Sequence, residues 1–415
     1  MKNREKAIIL FATYLLLLTA CHSKVRKMEE SNFVSTEEYY NIEVKPNDKA
    51  IDIKQYIDSV FYVKLELSDE SIIGHIDKIV CFENRIYIMD KQTSSLFMFD
   101  MKGKYLSKIC KIGNGPGEYT TLNYFDIDIE NRQIVLIDLM TYWCIRYDLS
   151  GKYISRKRIP VNMEGFAPVS TGKYVSFSNF RDNLRFLDPE YNIIYLDSLM
   201  QIEKVFFPYN SSNFFNPFVQ FPGKPGGPFY TFNDEIYFMY KMKSEVYKVA
   251  PEGLSLKYKF DFNGKNFDYS AINNKRNLHD YLYNGNYLSL HNVCETAGIL
   301  SFSFFENIDS KAYTGFYSKH TGNIINSSFF SLNKVPFSNL PIASYADWFI
   351  CELSIDNLIQ WKINVDAAND MLKEKGYKGG DLFLEHKALI EMKRLADSLT
   401  LDDNSVLMFF KLKSF

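Results

Sequence analysis

Two stretches of the chain repeat each other at an offset of 48 residues. Asp90, Asp100, Gly103, Lys104 and Tyr105 return as Asp138, Asp148, Gly151, Lys152 and Tyr153. The apolar pattern between them is kept, with Arg85-Ile-Tyr-Ile-Met-Asp90 matching Gln133-Ile-Val-Leu-Ile-Asp138. A strand-rich repeat of roughly 40–50 residues marks a β-propeller blade, a unit that cannot bury its faces alone and must stack on its neighbours. The repeat therefore predicts an all-β ring and excludes helical bundles and doubly wound sheets. It says nothing of a reaction.

Each copy divides into four short strands separated by turns. The first predicts strands near 76–82, 85–90, 95–100 and 104–109, the second near 123–130, 133–138, 143–148 and 152–159. The turns Asp100-Met-Lys-Gly103 and Asp148-Leu-Ser-Gly151 place a carboxylate where it can accept from turn amides and a glycine where positive φ is needed. Tracing such turns predicts a third blade with strands near 173–177 and 184–188 and a turn at Asp188-Pro-Glu-Tyr-Asn. A fourth covers 233–240 and 246–249 with a turn at Pro251-Glu-Gly253, and a fifth 299–305 and 312–317 with a turn at His320-Thr-Gly322. Strands remain at both ends, 59–66 before the first blade and 342–353 and 406–412 after the fifth. A six-bladed β-propeller closed by both termini accounts for them, because closure removes an open edge. Helical spacing over 354–375 and 381–399 marks a small C-terminal helical insertion, within about 354–399 of a propeller spanning 49–415.

Ahead of the propeller, Lys2, Arg4 and Lys6 precede an apolar run from Ala7 to Leu18, too short to span a bilayer stably. The segment ends Leu18-Thr19-Ala20-Cys21, similar to a bacterial lipobox, so residues 1–20 read as a lipoprotein signal peptide and Cys21 as the lipidation site. The plainer alternative is a secretory signal followed by a chance cysteine. Residues 21–48 are mostly polar and charged and predict a lipidated flexible tether. Two or more acyl chains would anchor the protein stably. The expected location is the outer membrane, facing the periplasm or the cell exterior.

The formal net charge is −2, which carries no nucleic-acid footprint. The 29 Tyr and 35 Phe suit strands packed between stacked sheets. Beyond Cys21, five cysteines without CxxC spacing give neither a disulfide framework nor a zinc site, and Cys81 and Cys144 read as small buried hydrophobes. No two of the six histidines stand at ligand spacing, and no GxSxG elbow occurs. No cofactor or metal is expected from local motifs, although residues from separate blades can converge on a propeller axis. Asp90 and Asp138 close equivalent strands and read as turn caps.

The densest motif is Ile112-Gly-Asn-Gly-Pro-Gly-Glu-Tyr119, joining the first blade to the second. Together with Phe99-Asp-Met-Lys-Gly-Lys-Tyr105 and Ile86-Tyr-Ile-Met-Asp90, it resembles the six-bladed β-propeller lipoproteins of Bacteroidetes, akin in architecture to NHL-repeat propellers. The resemblance runs from about residue 51 to the C-terminus and implies fold and compartment without an activity. The glycines free consecutive amides to point one way, a nest suited to an anion. Two readings stand. Gly115, Gly117, Glu118 and Tyr119 contact a ligand near the channel mouth, or Glu118 fills the nest and the loop is a connector. A nucleotide fingerprint is excluded because strands, not a helix, follow the glycines. A second candidate is the aromatic stretch from Phe206 to Phe218, where Phe214, Phe215 and Phe218 would form a partner-binding lip. The expected function is a binding or scaffold module for an envelope protein, peptide or glycan. The alternative is a metal-dependent hydrolase or lyase in the central channel.

Overall fold

The computed structural model describes residues 25–35, 38–211, 227–240, 243–270, 278–307, 311–332, 335–336, 341–375 and 386–415. Among the described residues six blade sheets stand around one axis, five of them antiparallel meanders in sequence order and the sixth completed from both termini, beside a small three-stranded sheet. Blade 1 comprises Lys78–Phe82, Arg85–Asp90, Ser95–Asp100 and Tyr105–Ile109; blade 2 comprises Tyr124–Asp128, Gln133–Asp138, Trp143–Asp148 and Tyr153–Arg158. Blade 3 runs Gly165–Ser170, Lys173–Phe177, Glu190–Leu196 and Ile202–Tyr209. Blade 4 runs Phe229–Phe232, Glu235–Tyr240, Glu245–Ala250 and Gly253–Asp261. Blade 5 has Leu288–Glu295, Ile299–Glu306, Ala312–Ser318 and Ile324–Ser327. The first strands of the blades meet at the axis. The meander sends the loops after second and fourth strands to one face, here the upper face.

The second strands explain the near-continuous apolar runs. Ile86 to Asp90 and Ile134 to Asp138 are buried along their whole length because a blade stacks against each side. Buried side chains gather into six clusters, each spanning the interface between two neighbouring blades. The ring closes as expected: Ala343–Tyr345, Trp348–Leu353 and Val406–Leu412 are completed by the N-terminal strand Ile57–Lys64, in register Phe410↔Val60 and Leu407↔Val63. Phe61 stacks on Phe409 across that seam, with ring centroids 4.7 Å apart.

Among the described residues three α-helices interrupt the sheets: α1 (Leu278–Asn284), α2 (Ile355–Glu374) and α3 (Lys387–Asp397). Helices α2 and α3 form the expected insertion, although its residues 376–385 lie outside the described residues. Ser354 caps α2 by accepting from the Asn357 amide. The insertion leaves from the upper face but does not roof the channel with α3. That helix lies on the outermost strand of blade 6, where the Tyr62 hydroxyl donates to the Ala388 carbonyl at 3.0 Å.

Two expectations need correction. In blade 3 the third strand is Glu190–Leu196, not 184–188, and the Asp turn lies at Asp197 rather than Asp188. Asp197 Oδ1 accepts from the amides of Leu199 and Gln201, as Asp148 Oδ1 does from Ser150 and Lys152. Met200, at φ +63° and buried, stands where blades 1 and 2 have Gly103 and Gly151. The second correction concerns the tether. Its described residues, 25–35 and 38–48, are laid along the rim. The Ser31 amide donates to the Val205 carbonyl and the Val34 amide to the Leu254 carbonyl, each at 2.8 Å. Tyr40–Glu43 then adds a parallel fifth strand to the edge of blade 4, burying Ile42 and Val44. Apolar residues spaced through a polar run, with an open strand edge to pair with, suffice to dock it.

Candidate functional site

The glycine-rich loop resolves into a self-satisfied turn. Glu118 turns its carboxylate back into the nest, and its Oε2 accepts the Gly115 amide at 2.7 Å. The Gly117 carbonyl accepts from the Tyr147 hydroxyl at 2.8 Å, and Arg156 donates to the Gly115 carbonyl. Tyr119 is buried, and its hydroxyl donates to the Ser94 and Ile109 carbonyls. Burial pushes that phenol well above its ordinary range. Glu118 thus plays the internal acceptor, and Tyr119 pins the loop between blades 1 and 2. Asp138 belongs to the same construction. Its buried carboxylate accepts from the Thr120 amide at 2.7 Å, the Met140 amide at 2.9 Å and the Thr141 hydroxyl at 2.6 Å. Asp90 does this more sparsely with the amides of Gly74 and Thr93. These acids cap turns and tie the incoming loop to its blade.

The axis holds a small cavity of about 70 Å³ lined by Lys78, Cys81, Asp126, Tyr230, Cys294 and Ser344, among others. Lys78 spans blades 1 and 2, its Nζ 3.0 Å from both Asp126 Oδ2 and the Phe125 carbonyl. Ligand pockets usually enclose about 300–1,000 Å³, so this space suits a few waters rather than a substrate. Burial pushes the Cys81 thiol up to about 12, which keeps it protonated and unreactive at neutral pH. Among the described residues, no three His, Cys, Asp or Glu side chains converge as metal ligands.

A larger cleft, of about 480 Å³, opens where the N-terminal segment passes between blades 3 and 4. Its aromatic walls are Phe33 from that segment, Phe207 from the last strand of blade 3, Tyr247 from blade 4, and Tyr269. Phe33 packs on Phe207 at 5.4 Å and on Tyr247 at 5.9 Å between ring centroids. Lys243 reaches in above Phe207 and Tyr269, its Nζ 5.0 and 5.4 Å from their centroids. Two carboxylates are already engaged: Glu30 accepts from the Phe207 amide and Glu245 from the Tyr247 hydroxyl. Lys243 has no ion pair among the described residues, so the cleft presents a cation on an aromatic floor.

Of the sequence candidates, Gly115, Gly117, Glu118 and Tyr119 lie together in the connector and away from this cleft. Cys21, Phe214, Phe215 and Phe218 lie outside the described residues. Sequence reading missed Glu30, Phe33, Lys243, Tyr247 and Tyr269. The one available signal was Phe33-Val34, an apolar pair inside a polar segment.

No helix among the described residues is long and apolar enough to cross a membrane. Among solved structures, the chain is similar to a Bacteroides fragilis protein described as exported. The TM-score is 0.68 at 19% identity, covering 90% of this chain and 99% of that one. It is also similar to a member of the DUF4221 family from Bacteroides vulgatus, with a TM-score of 0.50 at 8% identity, covering 86% and 97%. These likenesses agree on the fold. No curated protein matches the chain. A family model matches residues 39–411, nearly the whole propeller with the strand added to blade 4, and the chain belongs to that family, the Domain of unknown function DUF4934.

Proposed function

We propose that this protein is a lipid-anchored, non-enzymatic binding module of the cell envelope, held at the outer membrane through Cys21, and that its ligand site is the cleft between blades 3 and 4. The observation that carries the reading is Lys243 on its aromatic floor in a cleft of about 480 Å³. Aromatic faces take the apolar face of a sugar ring or a side chain. An ammonium without a carboxylate partner takes an anion. The ligand chemistry that fits is an acidic glycan or a peptide presenting a carboxylate. The basic run after Cys21 and the resemblance to propeller lipoproteins support the anchor and the compartment.

The test is a thermal-shift and calorimetric screen of the parent with uronic-acid oligosaccharides and carboxylate-terminated peptides, followed by the hits on Lys243→Ala and Tyr269→Ala. Ligand at 100 times its Kd should stabilise the parent by about 2.7 kcal/mol. Each substitution should weaken a hit at least tenfold, with the unliganded melting curve nearly unchanged for Lys243→Ala and lowered for Tyr269→Ala, which also loses the Tyr240 hydroxyl contact. Hits that bind both variants like the parent would place the site elsewhere.

A further inference from the structure

The N-terminal segment is fixed to blade 3 close to where an anchor would begin. Arg26 forms a parallel bridge with Leu187, its amide donating to the Phe186 carbonyl at 3.1 Å and its carbonyl accepting from Asp188 at 3.0 Å. Five residue steps separate Cys21 from Arg26. An extended chain spans at most about 3.6 Å per residue, so the rim of blade 3 stands no more than about 18 Å from the lipidated cysteine. A flexible tether ending near residue 48 would have allowed any orientation. This attachment leaves few.

The surface beside that exit is built from arginines laid on aromatic rings. The Arg185 guanidinium lies 4.5 Å from the Phe186 centroid and donates to the Tyr142 hydroxyl at 2.9 Å. On blade 2, Arg158 and Arg156 lie 4.1 and 4.4 Å from the Trp143 centroid. None of the three has an ion pair among the described residues. Met140, at the tip of the adjoining loop, is 72% exposed, and Leu184 on the blade 3 loop is 41% exposed. Arg26 and Lys27 add two exposed cations. The exposed carboxylates on the same segments are Glu29, Glu30, Asp182 and Asp188, of which Glu30 accepts from the Phe207 amide, while Glu164 is taken by Arg181.

We propose that this upper rim of blades 2 and 3 rests on an anionic lipid headgroup layer, the one that would hold the Cys21 acyl chains. The inference rests on the anchor reading above and adds an orientation to it. Each guanidinium spends one terminal nitrogen on the protein, Arg156 on the Asn114 and Gly115 carbonyls, Arg158 on the Thr141 carbonyl and Arg185 on the Tyr142 hydroxyl, and the remaining N–H groups of the fork are left to meet phosphate. Trp and Tyr are the side chains that settle at headgroup level, and Met140 and Leu184 supply short apolar tips. Each basic residue near an anionic surface contributes roughly fivefold in partitioning, so three give about a hundredfold.

The test uses the chain from residue 21 with Cys21→Ser, so that binding is read without acylation. It is co-sedimented with vesicles of phosphatidylcholine alone and with added phosphatidylglycerol, at low and physiological salt. Binding to the anionic vesicles only, weakened by salt, is expected. Arg156→Gln/Arg158→Gln/Arg185→Gln should reduce it about a hundredfold, with the fold kept and melting lowered only by the loss of the hydrogen bonds to Gly115, Thr141 and Tyr142. Met140→Glu, at an exposed tip, should reduce it without touching the fold. Equal binding by parent and triple variant, equal binding to both vesicle types, or no binding by the parent would overturn the orientation. Acyl labelling at Cys21 in cells is measured separately. Labelled protein with inert arginines refutes the orientation, whereas unlabelled protein that still binds anionic vesicles refutes the anchor alone.

Discussion

The internal repeat supplies its own control experiment. Gly103 and Gly151 occupy the same turn in blades 1 and 2, at φ +84° and +85°, and each amide donates to the preceding Asp carbonyl at 3.0 Å. Placing alanine at either site costs about 1–2 kcal/mol for the left-handed conformation. Roughly 0.4–1 kcal/mol of that is offset because the unfolded chain loses freedom. At Gly151 little else changes, since the nearest atom to a new Cβ is Ile109 Cγ1 at 3.1 Å, on a side chain that can shift. At Gly103 the new Cβ would sit 2.1 Å from the Lys64 carbonyl oxygen, which is backbone. A real contact stays beyond 3.0 Å, so chain and turn must part by about 0.9 Å.

That separation strikes the ring closure. The Gly103 carbonyl accepts the Glu66 amide at 2.8 Å, and Glu66 Oε2 accepts the Tyr105 amide at 2.7 Å. Losing the first costs about 1 kcal/mol and the second, to a charged group, about 1.5–3 kcal/mol. Gly103→Ala should therefore destabilise by about 3–5 kcal/mol, against about 1 kcal/mol for Gly151→Ala. A six-bladed ring need not unfold in one step, so urea midpoints should be read with amide hydrogen exchange. Exchange in Ile57–Lys64 and Val406–Leu412 should accelerate at least tenfold more in Gly103→Ala than in Gly151→Ala. Equal midpoint shifts together with equal exchange in the closing blade would refute the reasoning.

Two further perturbations test the buried charges. Burial alone would raise the Asp138 carboxyl, yet hydrogen bonds from Thr141 and Thr120 outweigh it and hold the group below its usual range. A depressed folded value means stability that is full above the unfolded value, near about 3.9, and lost as pH falls through the folded one. Asp138→Asn, which sets an amide donor against donors, should cost about 3 kcal/mol at neutral pH and flatten the acid limb of a melting-temperature profile. A parallel acid limb would discount that network. In the channel, Lys78→Met alone should cost about 3–5 kcal/mol by stranding Asp126, whereas Lys78→Met/Asp126→Leu should recover most of it. Additive losses in that double-mutant cycle, measured by chemical unfolding, would mean the two charges do not act as a pair.

The sequence made the blades legible where the turn chemistry was intact. Asp100 and Asp148 repeat with their glycines, and the strands around them fall within two residues of the expected bounds. Blade 3 escaped because Met200 adopts the left-handed conformation while its side chain is buried among Val205, Ile202 and Leu196. Packing there substitutes for glycine's conformational freedom, and only the aspartate at 197 remained as a marker. The tether was misjudged for a related reason. Average polarity describes a segment's mean, whereas docking depends on a few residues such as Ile42 and Val44 and on an available edge. For the cleft the aromatic stretch beginning at Phe206 supplied only Phe207, since Phe33, Lys243 and Tyr269 join it only through blade stacking.

A physical distinction separates the motif that stood out from the site that did not. In the glycine loop, every specialised residue answers a need of the backbone: Glu118 satisfies an amide, Tyr119 and Tyr147 satisfy carbonyls, and Asp138 ties two loops. A group spent in this way has little left for a ligand. Lys243 is the opposite case, with no ion pair among the described residues, and the stacked arginines of blades 2 and 3 stand between, each giving one terminal nitrogen to the protein while its charge has no carboxylate partner among the described residues. They flank the path of the N-terminal segment, which supplies Glu30, Phe33 and Val34 to the cleft and fastens Arg26 to the rim. The segment that would carry the anchor is therefore also a wall of the proposed binding cleft. Pulling it from the rim would dismantle the cleft and free the proposed orientation together, so the proposed anchoring and binding would depend on one segment.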